Sequence, residues 1–291
     1  MDELELANTF DRQRPQLRAV AYRILGSLTE ADDAVQETWL RLRRTEAEQI
    51  DSLERWLTTV VARICLNILR SRRTRSEQPL DGLRPEPIID DPAAGADPEH
   101  EALLADSVGI ALQVVLDTLR PAERLAFVLH DMFAVPFDEI AAMVDRSPEA
   151  TRQLASRARR RVRDAAPSPD PSLTRQQEVV DAYFAAAREG DLDALMAVLD
   201  PEVVLRAHRR DGEPVELRGA AQVARGAMAA RRFAPYVRPA LINGAAGVIA
   251  FDGDRPFAVL AFTVVGDSAV AIDVFNDPDL VAKLDVHGIT A

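Results

Sequence analysis

Lysine is almost absent from this 291-residue chain: Lys283 is the single lysine among 35 basic residues, set against 47 aspartates and glutamates. Such an arginine bias fits a GC-rich coding sequence and points to no one chemistry. Cysteine is reduced to Cys65, which excludes an internal disulfide and any cysteine-based metal cluster. Its neighbours Ile64 and Leu66 mark it as a core thiol. Long apolar runs are missing too. PFAVLAFTVV, one of the longest, falls well short of the roughly 20 residues a membrane helix needs. The acidic start MDELELANTF is unlike a secretory signal, which opens basic and then turns apolar. These absences predict a cytoplasmic protein without membrane association, and give no sign of a metal or cofactor.

What is present is acidic charge, with local exceptions. The formal net charge is -12. Residues 1–170 hold 23 arginines against 30 acids, net -7, and residues 171–291 hold 12 basic residues against 17 acids, net -5. A nucleic-acid partner would therefore have to be met by local patches. Two stand out: Arg55 to Arg75 and Thr151 to Arg163 each carry six arginines and no acid.

Length and pattern divide the chain into several domains. Residues 1–75 read as helical. TEADDAVQETWLRLRR opens with Thr29 as N-cap, and Ala31, Val35, Thr38 and Leu42 share one face. A further helix starts at Ser52, with Leu53, Leu57, Val60, Val61, Ile64 and Ile68 as its inward stripe and Arg63, Asn67 and Arg70 opposite. Residues 76–106 are proline-rich, with nine acids against one arginine, and have the composition of an extended, solvated linker. Helical periodicity returns over 107–166. After the break APSPDPS, residues 172–291 read as two helices parted at Gly190-Asp191, then a helix near 220–230 and β-rich runs from Val237 to Phe275. The fold class expected is multidomain: two all-α domains followed by an α+β domain.

The second arginine patch has a helix-turn-helix layout. VPFDEIAAMV is a short amphipathic helix, DRSP a turn, and Ser147 and Pro148 suit the cap and first position of the next helix. In that helix Leu154, Ala158 and Val162 are expected to pack inward, leaving Arg152, Gln153, Ser156, Arg157 and Arg160 outside. Arginine suits guanine and glutamine suits adenine in the major groove. Residues of the first two turns are placed to read bases, and Arg160 and Arg161, further along, to hold phosphates.

AVAYRILGSLTEADDAVQETWLRL with RWLTTVVARICLNILRSRRTR resembles the core domain of extracytoplasmic-function sigma factors, the promoter-recognition subunits of bacterial RNA polymerase. TLRPAERLAFVLHDMFAVPFDEIAAMVDRSPEATRQLASRARRRVR resembles their second DNA-binding domain, and the two occur in the family's order. The resemblance implies that Asp33, Gln36, Glu37 and Leu40 dock on the β′ clamp helices of the polymerase core. It implies that Arg63, Asn67, Arg70 and Arg73 meet the downstream (minus ten) promoter element, and that the helix-turn-helix reads the upstream (minus thirty-five) element. The linker's LRPEPI is similar to a proline-rich motif of relatives, keeping Pro85, Glu86 and Pro87; in the family this segment threads through the polymerase.

The C-terminal part, VVDAYFAAAREGDLDALMAVLDPEVVLRAH onward, resembles the SnoaL-like branch of the NTF2-like fold. Sigma factors with this fusion form a recognised group, in which the domain modulates activity. Regulatory positions implied by matching motifs are Asp211 and Gly212 in DGEPV, and Pro278, Asp279 and Lys283 in NDPDLVAKL. Lys283 could pair with acids of the linker. The resemblance leaves room for a small-molecule ligand in the C-terminal pocket and for a separate anti-sigma factor. SnoaL-like domains include enzymes, and the pair to consider for acid/base work is His208 with Asp273; His208, in RAHRR, reads as exposed. The preferred reading is a sigma factor that catalyses nothing, and the rival is an enzyme or ligand sensor that the helical half addresses to DNA.

Overall fold

The computed structural model describes residues 3–45, 50–75, 85–92, 109–165, 169–208 and 215–284, together with Val286 and Ile289. Its chain forms two compact units.

The first unit is helical. Helices α1 (Glu3–Leu25), α2 (Leu28–Leu42) and α3 (Leu53–Arg75) pack on one another. The α1–α2 corner is made by Gly26 at φ +76°, where a Cβ would stand 3.0 Å from Gln113 Nε2. Only a residue without a side chain fits both that backbone and that approach. The corner also moves the cap: Ser27, extended at φ -132°, accepts from Glu30 N–H at 3.4 Å. Helix α2 thus begins before Thr29, the N-cap expected from its sequence. Its inward face is Ala31, Ala34, Val35, Thr38 and Leu42. On α3 the stripe is rotated from the expected one. Leu57, Val61, Ile64, Cys65, Leu66 and Leu69 are buried, whereas Val60 and Ile68 are half-buried. Cys65 is a core thiol, and burial pushes its pKa up.

The same unit holds α4 (Gly109–Asp117) from Gln113 on, α5 (Pro121–Phe127) with a π turn at Val128–Met132, α6 (Phe137–Val144) and α7 (Pro148–Ala165). These helices are tied to the first three by polar contacts at a helix end. The Arg23 carbonyl, in the last turn of α1, accepts from Gln113 Nε2 at 3.4 Å and from Arg124 Nη2 at 3.3 Å. This supplies donors that no residue of α1 can provide. Arg124 also pairs with Asp117. Arg72 of α3 pairs with Glu30 and donates to Leu25 O at 3.0 Å. Burial, then the nearby Arg124, brings the Arg72 pKa down to about 10.

The second unit is built on a seven-stranded sheet, with three of its helices on one face. Its strands are β1 (Ile89–Asp90), β2 (Leu199–His208), β3 (Val215–Arg218), β4 (Val237–Ile242), β5 (Ala245–Asp252), β6 (Arg255–Val265) and β7 (Ser268–Phe275), in spatial order β1-β4-β5-β6-β7-β2-β3. Neighbours are antiparallel except β2 and β7. Helices α8 (Leu173–Glu189), α9 (Leu192–Ala197) and α10 (Ala220–Ala230) cover one face through Val179, Tyr183, Phe184, Val223, Phe262 and Ile272. The opposite face is covered by Ile89, Ile110, Leu284 and Ile289, packed on Ala240, Ile249, Val259 and Phe275. A short α11 (Pro278–Val281) is capped by Asp277. Helices followed by a mixed sheet are the α+β arrangement expected of this part.

Strand β1 comes from the segment read as solvated linker. Ile89 pairs with Ile242 and Asp90 with Leu241 at the edge of the sheet. Asn243, in the β4–β5 turn at φ 50°, accepts the Ile88 N–H on its Oδ1 at 2.9 Å and donates its own N–H to Ile88 O at 2.8 Å. Pro85, Pro87, Ile88 and Ile89 are buried. Composition alone misses this, because an edge strand needs only a few apolar residues and a partner that is remote in sequence.

Candidate nucleic-acid interface

The helix-turn-helix is built as its sequence suggests. Pro136 precedes α6, whose Ile140, Ala141, Met143 and Val144 are buried. Asp145 at φ 57° ends the helix, and Ser147 Oγ accepts from Ala150 N–H at 3.2 Å to open α7. Thr151, Ala155 and Ala158 are the buried residues of α7, with Leu154 and Val162 only half-buried. The expected stripe is thus turned toward its small residues, which let α7 lie close on α5 and α6.

Arg152, Gln153, Ser156, Arg157, Arg160 and Arg161 are all exposed. Their partners differ. Arg152 lies over the Phe137 ring, 5.6 Å from its centroid, and 3.6 Å from Glu149. Arg157 Nε and Arg161 Nη1 each lie 3.4 Å from a different oxygen of Glu123. Arg159 Nε donates to Asp131 at 2.7 Å. Among the described residues Arg160 makes no ion pair. Arg157 and Arg161, assigned to bases and to phosphates from the sequence, here share one carboxylate.

On α3, Asn67, Arg70 and Arg73 are exposed, but Arg63 donates through Nη2 to Ala142 O of α6 at 3.0 Å. Arg55, about two turns earlier, pairs with Glu139 of α6. Two arginines of the α3 face, though exposed, are therefore engaged by the first helix of the helix-turn-helix. Nothing in the spacing of α3 foretold this, since the partner is some eighty residues away.

On α2, Asp33, Gln36 and Leu40 are exposed and Glu37 is half-buried. Glu37 bonds Arg41 at 2.8 Å, while the neighbouring Asp32 is held by Arg18 at 2.6 Å. Leu40 is the one large apolar side chain of this unit standing well into solvent among the described residues, at 38%.

Of the regulatory positions, Asp211 and Gly212 lie outside the described residues. Pro278 and Asp279 open α11 and Lys283 follows it, exposed and without an ion pair among the described residues. His208 is buried, contrary to the sequence reading, and it does meet Asp273: Nε2 is 3.1 Å from Oδ1, with Arg206 Nη1 at 3.2 Å and the Phe275 ring stacked at 4.6 Å. The pair faces away from α8, α9 and α10. Alternation along β7 sends Ile272 to the helix side and Asp273 to the other, with Phe275 and its neighbour Val259. The triad thus ties the ends of two parallel strands, and does not line a helix-side pocket.

Comparison with known proteins places two family models on the helical part of the chain. Residues 9–75 match sigma-70 region 2, and residues 110–162 match sigma-70 region 4. The chain is 38% identical over 290 residues to the ECF RNA polymerase sigma factor SigJ of Mycobacterium tuberculosis, covering 93% of this chain and 91% of that one. It is 33% identical over 274 residues to the probable ECF RNA polymerase sigma factor SigI of the same species, covering 93% of each. The crystal structure of M. tuberculosis SigJ matches with a TM-score of 0.77 at 34% identity, over 96% of this chain and 99% of that one. Two sigma domains in the family's order, an arginine-bearing helix-turn-helix and a relative similar over nearly its whole length lead to one conclusion: this chain belongs to the ECF RNA polymerase sigma factors, which direct promoter-specific transcription initiation.

Proposed function

We propose that the α2 surface of Asp33, Gln36, Glu37 and Leu40 docks on the β′ clamp helices, that α3 and α7 meet the two promoter elements, and that the C-terminal domain modulates this work. The observation that carries the modulation is the grip of Asn243 on Ile88: the segment joining the two sigma domains is a strand of the C-terminal sheet. A linker held there is withheld from any path through the polymerase. The contacts of Arg55 and Arg63 with α6 act in the same sense, because they hold α3 against the first helix of the helix-turn-helix that carries α7. The protein works in the cytoplasm and catalyses nothing. The Tyr183, Phe184 and Phe262 rings pack on one another on the helix side of the sheet, so a small-molecule ligand placed among them would have to part them. A separate anti-sigma factor would compete for the α2 and α3 surfaces.

Run-off transcription with purified core polymerase tests the reading. Transcripts should require the protein; a DNA-addressed sensor or enzyme would leave core activity unchanged or block it. On the DNA side, Arg152→Ala should cost about 1–3 kcal/mol at the upstream element and relax its specificity. Arg160→Ala should lower affinity evenly across sequences and flatten the salt dependence by about one phosphate contact. If both variants behave alike in anisotropy titrations, the division between base and phosphate contacts fails.

A further inference from the structure

We infer that Glu123 is a specificity-determining residue of the upstream DNA reader: it rations the arginines of α7 between the protein and DNA. The inference rests on α7 being that reader. Glu123 sits in the first turn of α5 and is almost wholly buried, its side chain 4% exposed. One oxygen meets Arg157 and the other Arg161, and its Oε2 also accepts the Arg120 N–H at 3.4 Å to cap α5. The two guanidiniums are one helical turn apart, so they arrive on the same side of α7 and half of each remains in solvent.

The electrostatic cost is unequal on the two sides. An arginine that swings out to a phosphate exchanges one anion for another in water, at small net cost. A buried carboxylate that loses both partners is left as an uncompensated charge, which is strongly destabilising. Arg157 and Arg161 therefore cannot both leave. One stays on Glu123 while the other is offered to DNA, and the recognition helix presents one phosphate contact fewer than its arginine count suggests. Sequence-independent affinity is held down by that contact, and base reading by the rest of the face counts for more.

Glu123→Gln isolates this role. Glutamine at this position can still accept the Arg120 N–H, so the cap is kept, and thermal melting of the full chain checks that the unit is intact. With the full-length protein, binding to a duplex lacking the promoter is followed against salt concentration. Glu123→Gln should steepen the slope of log affinity against log salt by about 0.9, the value of one added phosphate contact, and lower the ratio of promoter to non-promoter affinity. Adding Arg157→Ala to Glu123→Gln should restore the original slope. An unchanged slope in Glu123→Gln, with Arg160→Ala still flattening it, would overturn the role of Glu123 and leave the DNA reader standing. An unchanged slope in both would mean that α7 does not hold phosphates at all, and the inference would fall with that reading.

Discussion

Asn243→Gly should free the Ile88–Asp90 strand from the C-terminal sheet while leaving the sheet itself in place. The carboxamide of Asn243 satisfies the Ile88 N–H at 2.9 Å, and the strand has only two paired residues beyond it. Losing a partner for a buried donor costs about 1–3 kcal/mol, or roughly 5- to 150-fold in a two-state equilibrium. Glycine is the substitution of choice because the residue lies at φ 50°, where alanine would add backbone strain to the lost bond. Hydrogen exchange across 85–92 should lose protection, and run-off output should rise as the linker becomes available to the polymerase. Unchanged protection would mean that the apolar contacts of Ile89 hold the segment unaided. Lost protection with falling output would show that the docked linker supports initiation.

Leu40→Glu should leave the helical unit folded and remove most of its affinity for core polymerase. Leu40 is at the solvent end of a strip with Asp33 and Gln36, one to two turns apart on α2, and its side chain already stands in water. An exposed leucine among acids gains nothing for the isolated chain; against a partner it is the apolar anchor at the centre of a polar rim. Truncated anchors of this kind cost about 2 kcal/mol or more, roughly thirtyfold in affinity. Gln36→Ala should cost less, and Glu37→Ala less again because Glu37 is engaged with Arg41. Fluorescence titration of labelled protein with core polymerase measures all three. Equal affinity of Leu40→Glu and the original chain would remove α2 from the docking surface.

Much of this was legible from the chain alone. Helix starts and the helix-turn-helix follow from local rules of capping, period and turn chemistry, which act over a few residues. Errors at this level were small and local: Ser27 caps α2 in place of Thr29 because Gly26 turns the chain two residues earlier. The stripes of α3 and α7 were rotated because apolar size suggested burial of Val60, Ile68, Leu154 and Val162, whereas close helix packing selected Ala62 and Ala155.

The sequence by itself determined the family, the order of the domains, and which helices carry arginine to their surface, since each is written in short contiguous runs. Tertiary structure alone decided what those residues touch. It set Arg63 on Ala142, joined Arg157 and Arg161 at Glu123, turned His208 and Asp273 to the face away from α8, α9 and α10, and made a strand of Ile89 and Asp90. The reason is physical: period and capping report which side of an element is apolar, but charge pairing and strand addition depend on groups brought together from 34 to more than 150 residues apart, and a buried group takes whichever partner the packed core leaves within reach.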